Sequence, residues 1–154
     1  MNPSKLQLLL VEDDPAEAEL TTMALRKHNL IINMEIARDG AEALDFLFCR
    51  GSFQARSFED PPQLVLLDLK LPRVSGHHVL RSVKSDSRTR AIPVVILTSS
   101  NLETDVAQCY ALGANSYVQK PSALDDFQET VRQFGAFWLR INQPPPASAF
   151  GETL

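Results

Sequence analysis

Four groups of side chains in this sequence could together carry out phosphoryl chemistry. In chain order they are Glu12-Asp13-Asp14, Asp68, Thr98-Ser99 and Lys120-Pro121. Carboxylates that share a crevice repel one another, and Mg²⁺ would relieve that repulsion because it is a hard cation that prefers oxygen ligands. Asp68 could then act as a carboxylate nucleophile and form an aspartyl phosphate. Lys120 and Thr98 could pair with the phosphoryl oxygens, and phosphoryl transfer needs little beyond such positioning and charge neutralisation.

Short apolar runs precede these groups and predict the strands that position them. Strands are predicted over 6–11, 31–37, 64–67, 94–97 and 116–118, and helices over 15–28, 40–50, 75–85, 102–112 and 122–141. Continuous apolar runs, rather than strict alternation, are typical of a parallel sheet that is covered on both faces. Parallel strands need helical crossovers, so we predict a doubly wound α/β fold with a five-stranded parallel sheet and five helices.

The ends of the predicted strands explain why the four groups should meet. In a doubly wound sheet the ligand site lies beyond the carboxyl ends of the strands, and each group follows one of those ends. Each residue alone has an ordinary structural explanation: Asp68 as a cap or turn residue, the acidic run as a helix cap, Thr98 as a strand-end residue and Lys120 as a solvated cation. The joint arrangement at four strand ends is what favours a functional site.

Helix boundary signals and the composition of the C-terminal region predict the extent of the domain. Pro15 after Asp14 is typical of a helix start, and Ser122 is a plausible N-cap for the last helix, with Asp125 in the capping-box position. Prolines at 144–146 and small polar residues follow the last helix. We therefore predict one domain over 1–141 and an extended or disordered tail over 142–154.

Composition narrows the classes of partner. The chain has 154 residues and a formal net charge of −4, without the basic stripe that nucleic-acid binding requires. It has no signal-peptide pattern and no apolar run of about 20 residues that could span a membrane, so a cytoplasmic protein is predicted. The two cysteines, Cys49 and Cys109, are expected to be free thiols.

The motifs at the four strand ends resemble those of the receiver domains of two-component response regulators. The matching segments are 9–14 (LLVEDD), 65–76 (VLLDLKLPRVSG), 93–98 (PVVILT) and 117–121 (YVQKP), and the resemblance extends over about residues 5–140. It implies a flavodoxin-like receiver fold in which a histidine kinase phosphorylates Asp68. It also implies a site for Mg²⁺ or Mn²⁺ with Asp13, Asp68 and the backbone carbonyl of Lys70 as direct ligands, and with Glu12 acting through water.

The same resemblance implies a conformational switch. Thr98 would move towards the phosphoryl group and Tyr117 would turn inward behind it, which changes the surface formed by the fourth helix, the fifth strand and the fifth helix. The bond between Lys120 and Pro121 resembles one that is cis in this family.

A narrower resemblance links the chain to the single-domain response regulators of bacterial and cyanobacterial phytochromes. It rests on the loop before Pro61-Pro62, the run LTSSN at 97–101 and the run FGAFWL at 134–139 with prolines soon after. It implies a phytochrome-type sensor histidine kinase as the partner, and a homodimer held by C-terminal arms. The arm residues would be Phe134, Phe137, Trp138, Leu139 and Ile141. The alternative is that the arm folds back on its own domain.

Two other functions remain open at this level. One is an Mg²⁺-dependent phosphatase with an aspartate nucleophile, but such an enzyme usually needs a second carboxylate two residues later, where this chain has Lys70. The other is a receiver-like module that binds partners without phosphorylation. The complete set of site residues favours a phosphorylated regulator that turns over no diffusible substrate.

Overall fold

The computed structural model describes residues 5–151, and within them five parallel strands form one sheet. The strands are β1 (Leu8–Val11), β2 (Met34–Ala37), β3 (Leu64–Leu67), β4 (Val94–Thr98) and β5 (Ser116–Gln119). Their order across the sheet is β2-β1-β3-β4-β5, and every neighbouring pair is parallel. The predicted five-stranded sheet is therefore confirmed, although β1 and β2 begin at Leu8 and Met34 rather than at 6 and 31.

Five α-helices connect or follow these strands within the same described range. They are α1 (Pro15–Lys27), α2 (Gly40–Leu47), α3 (Gly76–Lys84), α4 (Glu103–Ala111) and α5 (Leu124–Ala136). Short 3₁₀ turns lie at Gly51–Phe53 and Ala147–Ala149, and a π-helical turn at Phe137–Ile141 extends α5. The doubly wound α/β fold with five helices is thus as predicted.

The two central strands β1 and β3 are apolar throughout because both faces of the sheet are covered there. Side chains alternate between the faces of a strand. In β1, Leu9 and Val11 accordingly belong to one core, with residues of α2 and α3, while Leu8 and Leu10 belong to a second core with residues of α1 and α5. All four side chains are buried. A strand with only one buried face would need a polar residue at every second position.

The predicted boundaries of α1, α3 and α4 hold to within one residue, and larger differences occur at the end of α2 and at both ends of α5. Asp14 caps α1 as expected, since its Oδ1 accepts a hydrogen bond of 2.9 Å from the backbone N–H of Ala16. The predicted cap Ser122 is wrong: Ala123 occupies the N-cap position of α5, and no side chain bonds to the first turn. The second helix ends at Leu47 rather than at 50, because Cys49 has a φ of 56°, in the left-handed region that ends a helix.

The C-terminal segment packs on the domain more closely than predicted. Phe150 packs against the core that contains α2 and α3, and the backbone N–H of Gly151 donates a hydrogen bond of 2.7 Å to the carbonyl of Ser87. The expectation of an extended or disordered tail is therefore wrong for residues 147–151, and residues 152–154 lie outside the described part. The expected cis bond before Pro121 is also wrong, because every peptide bond in residues 5–151 is trans.

The five predicted arm residues divide into two groups. Phe134 and Leu139 are buried in the chain's own core beside α1, so the prediction that they form a dimer contact is wrong for these two. Trp138 is partly buried in the same core. Phe137 and Ile141 remain 45% and 72% exposed. For the buried pair, the structure supports the alternative in which this segment folds back on its own domain.

Both cysteines are free thiols, as predicted, with Cys109 buried and Cys49 partly buried. No helix within residues 5–151 combines the length and the apolar character that a bilayer crossing requires.

Lys84, at the end of α3, ties this helix to the adjoining loops. Its Nζ donates hydrogen bonds to the carbonyls of Ile92 at 2.7 Å and Arg90 at 3.0 Å, and to the side chain of Asn115 at 2.9 Å. Burial lowers the pKa of Lys84 from its usual 10.5 to about 8. The unfolded chain therefore holds this proton more tightly than the folded chain does.

Stability should consequently depend on pH through Lys84. As the pH rises from about 8 to about 10, the folded protein loses this proton before the unfolded chain does, which favours folding. We expect the free energy of unfolding of the native protein to rise by about 1–2 kcal/mol relative to Lys84→Met over this interval, a value reduced for partial solvent exposure. Chemical denaturation at several pH values measures this difference, with Lys27→Met as the control. Parallel pH profiles for the native protein and Lys84→Met would contradict the assignment.

Candidate functional site

The polar groups predicted to carry chemistry converge at the carboxyl edge of the sheet. Glu12 follows β1, Asp68 follows β3, Thr98 ends β4 and Lys120 follows β5. Backbone hydrogen bonds hold these positions in line beyond the strands: Asp68 N–H to the Val11 carbonyl at 3.2 Å, and Lys120 N–H to the Thr98 carbonyl at 2.7 Å. The strand order reverses between β1 and β3, so the site lies where ligands bind in such folds.

Lys120 is the centre of the site. Its Nζ lies 2.6 Å from Oε1 of Glu12, 3.0 Å from Oδ2 of Asp68 and 3.2 Å from Oε2 of Glu17. Lys120, Glu12 and Asp68 are all buried. The structure therefore brings together three of the residues singled out in the sequence and adds Glu17, which the sequence analysis did not identify.

Glu17 lies in the first turn of α1, where an acidic residue also suits the positive end of the helix dipole. Because the helix dipole already explains an acidic residue at this position, the sequence offered little reason to expect its contact with Lys120. The only signal in the sequence was its place one turn after Asp14, on the helix that begins at the site.

Burial and charge act in opposite directions on Glu12 and Lys120. Burial raises the pKa of Glu12 from 4.5 to about 7, although the hydrogen bond from Lys120 and its charge counteract part of that rise. Burial alone would lower the pKa of Lys120, but the hydrogen bond to Glu12 and the charges of Asp68 and Glu12 outweigh it, so the pKa of Lys120 is raised. Lys120 is therefore a permanent cation in this site.

Asp68 is held in position from both sides. Its Oδ1 accepts a hydrogen bond of 2.7 Å from the backbone N–H of Leu69, and its Oδ2 faces Lys120. The loop after it folds back so closely that a Cβ added to Gly76 would lie 2.2 Å from the backbone oxygen of Asp68. Only glycine fits there, because the obstructing atoms belong to the backbone.

Thr98 and Tyr117 border the site on the side of β4 and β5. Thr98 is completely buried, and its Oγ1 has no hydrogen-bond partner within residues 5–151. The hydroxyl of Tyr117 donates a hydrogen bond of 3.0 Å to the carbonyl of Ser100, whose own hydroxyl lies 2.6 Å from Oδ2 of Asp105 in α4. Tyr117 is thus connected to the loop between β4 and α4.

The carboxylates of this site have the chemistry that a divalent cation requires. One ligand oxygen each from Glu12, Glu17 and Asp68 lies within 4.8 Å of the other two. Three carboxylates and one ammonium leave an excess of negative charge, and carboxylate oxygens are the ligands preferred by Mg²⁺ and Mn²⁺. Asp13, a predicted ligand, is exposed beside the site and lies outside this group of three. Lys70 is also exposed, and the metal-binding role of its backbone carbonyl stays a prediction.

Comparison with known proteins gives the family. The model of the response regulator receiver domain matches residues 8–132. A probable methanogenesis regulatory protein, FilR2 of Methanothrix harundinacea (strain 6Ac), is 41% identical over 138 residues, which cover 90% of this chain and 86% of FilR2. The response regulator Rcp1 of Synechocystis sp. (strain ATCC 27184 / PCC 6803 / Kazusa) is 37% identical over 146 residues, which cover 95% of this chain and 97% of Rcp1.

Solved structures agree with this result. The Mn²⁺-bound form of Rcp1 superimposes with a TM-score of 0.85 at 35% identity, over 92% of this chain and 99% of Rcp1. The phosphorylated cyanobacterial phytochrome response regulator RcpA superimposes with a TM-score of 0.86 at 34% identity, over 93% of this chain and all of RcpA. The chain therefore belongs to the response regulator receiver family of signalling proteins, and it is related to phytochrome response regulators.

Proposed function

We propose that this chain is a response regulator that accepts a phosphoryl group on Asp68 from a sensor histidine kinase. The observation that carries the proposal is the contact of Lys120 with both Glu12 and Asp68 at the carboxyl edge of the sheet. This contact places a permanent cation beside the acceptor carboxylate, where negative charge accumulates during transfer.

The reaction can be described from the positions of the side chains. A carboxylate oxygen of Asp68 attacks phosphorus, and the bond from phosphorus to the donor nitrogen of the kinase histidine breaks, with its electron pair remaining on that nitrogen. The backbone N–H of Leu69 keeps the carboxylate oriented. Lys120 pairs with one phosphoryl oxygen, and the hydroxyl of Thr98, which lacks a partner within the described range, donates to another.

Mg²⁺ or Mn²⁺ is the cofactor of this proposal. Asp13, Asp68 and the backbone carbonyl of Lys70 would hold it directly, and Glu12 would hold it through water. When bound, the metal neutralises the carboxylates and the incoming phosphoryl oxygens. The Mn²⁺ of Rcp1 supports this assignment.

The output of the proposed switch is the surface formed by α4, β5 and α5. Thr98 would move towards the phosphoryl group and Tyr117 would follow it. The hydrogen bond of Tyr117 to Ser100 and that of Ser100 to Asp105 supply a physical connection from the site to α4. A partner that binds only the rearranged surface would shift the population towards it.

The kinase is proposed to be of the phytochrome type, on the basis of the similarity to RcpA. The negative net charge favours a protein partner over nucleic acid, and a cytoplasmic location fits a kinase-coupled regulator. No turnover of a diffusible substrate is expected. Lys70 stands at the position where a phosphatase of the rival type would need its second carboxylate, and it is exposed to solvent.

Phosphorylation of Asp68 is directly testable. Incubation with Mg²⁺ and acetyl phosphate should add the mass of one phosphoryl group to the intact protein, because Asp68 lies beside a fixed cation. Hydroxylamine should remove that mass, since it cleaves acyl phosphates. Asp68→Asn should stay unmodified, Asp45→Asn on α2 should behave as the native protein does, and chelation of the metal should prevent the reaction. Intact-protein mass spectrometry measures all five results.

The other outcomes separate the rival functions. Hydrolysis of many unrelated phosphate esters would support the phosphatase. Absence of any mass increase, with acetyl phosphate and with a phosphorylated kinase, would support a module that acts without phosphorylation.

We also propose a homodimer that uses the exposed side of the C-terminal turn. Phe137 and Ile141 lie on this turn and are 45% and 72% exposed, and the ring of Phe137 packs edge-on against that of Trp138 at 5.1 Å between centroids. Exposed apolar surface of this kind marks an interaction site when it is grouped. Phe134 and Leu139 contribute by anchoring the turn to the domain instead of contacting the partner.

The dimer proposal predicts a change in mass on substitution of the exposed pair. The double variant Phe137→Ser, Ile141→Ser should be monomeric under conditions where the native chain is dimeric, because it removes apolar contact area without touching the buried core. Met23→Ser removes another exposed apolar side chain, on α1, and should leave the dimer intact. Multi-angle light scattering distinguishes the two. A native chain that is monomeric, or a double variant that remains dimeric, would refute this interface.

A further inference from the structure

The ammonium group of Lys120 is fully occupied by carboxylates. It carries three N–H bonds, and its three contacts within the described residues are with Glu12 at 2.6 Å, Asp68 at 3.0 Å and Glu17 at 3.2 Å. A phosphoryl oxygen that is to pair with Lys120 must therefore take the place of one of them.

The three partners are not equally fixed. The side chains of Glu12 and Asp68 are only 4% and 11% exposed, whereas that of Glu17 is 40% exposed. Glu12 also accepts a hydrogen bond from the backbone N–H of Asp14, and Asp68 accepts one from Leu69. Across residues 5–151, the carboxylate of Glu17 has no hydrogen-bond partner other than Lys120. It also makes the longest of the three contacts.

Charge repulsion also favours the release of Glu17 rather than of Glu12 or Asp68. A phosphoryl group adds about −1.5 to −2 charges beside Lys120. The carboxylate of Glu17 would then face this additional anion across the ammonium group, and it can leave into solvent by rotation of its own side chain. Glu12 cannot leave in this way, because it is buried.

We propose that Glu17 is an exchangeable partner of Lys120, which holds one N–H of the ammonium group until a phosphoryl group on Asp68 takes that place. Glu17 is thus a positioning residue that orients Lys120 in the unmodified protein and opposes the modified state. The inference rests on the proposed phosphorylation of Asp68. Its consequence is that phosphorylation releases a contact between the first turn of α1 and the end of β5.

The test uses beryllofluoride, a phosphoryl analogue, with the full chain at saturating Mg²⁺. Isothermal titration calorimetry should show that Glu17→Gln binds beryllofluoride about three- to tenfold more tightly than the native protein, because a neutral amide competes less well for Lys120. Glu19→Gln makes the same change in net charge on the same helix, at an exposed position away from the site. It should bind with the native affinity.

Two further measurements show why the affinity of Glu17→Gln for beryllofluoride changes. Mg²⁺ affinity without beryllofluoride shows whether Glu17 is instead a metal ligand: weaker binding of both Mg²⁺ and beryllofluoride by Glu17→Gln would overturn the proposal in favour of that role. Thermal unfolding without either ligand tests whether Glu17 has a purely structural role. In that case Glu17→Gln would lower the stability of the protein and leave its affinity for beryllofluoride unchanged.

The outcomes for the two proposals are distinguishable. If the native protein binds beryllofluoride and Glu17→Gln binds it equally or more weakly, the proposal that Glu17 exchanges with the phosphoryl group is wrong. The proposed phosphorylation of Asp68 would still stand. If the native protein does not bind beryllofluoride at all and Asp68 accepts no phosphoryl group, the proposed function fails and this inference fails with it.

Discussion

The buried ammonium group of Lys120 is the interaction on which the site depends. A buried cation is costly unless carboxylates compensate it, and a buried carboxylate such as Glu12 is costly unless a cation accompanies it. Glu12, Asp68 and Lys120 follow three different strands, and the ammonium group of Lys120 offsets the charge of both carboxylates. The parallel sheet brings the three strand ends together and so places these charges side by side.

The fold was largely predictable from the sequence because its strands carry a simple signal. A strand covered on both faces needs apolar side chains at every position, and Leu8–Val11 and Leu64–Leu67 satisfy this without exception. Helix ends were less predictable. Ser122 had the right chemistry for a cap, but α5 begins later in the chain, so its hydroxyl makes no capping hydrogen bond. The left-handed backbone of Cys49, which ends α2, has no signature in a residue of that type.

The site was predictable to the extent that strand ends determine it. Asp68 and Lys120 are placed by the backbone, so the position of each in the sequence was enough to expect their contact. Glu17 reaches the site through its own side chain from a helix, and a helical glutamate near an N-terminus has an ordinary explanation. Phe150 was missed for a related reason, since proline-containing tails carry no pattern that indicates where they dock. The arm residues show the same limitation: Phe134 and Phe137 have the same side chain, but only the first faces α1.

The hydroxyl of Thr98, which has no hydrogen-bond partner within residues 5–151, has a thermodynamic consequence for β4. A buried polar group without a hydrogen bond lowers stability by about 1–3 kcal/mol. A bound phosphoryl oxygen that accepts a hydrogen bond from Thr98 would therefore stabilise the end of β4. Because binding and folding are linked, occupancy of the site must also make opening of β4 rarer. Protection of β4 from local opening would thus report whether an oxygen atom of a bound group accepts this hydrogen bond.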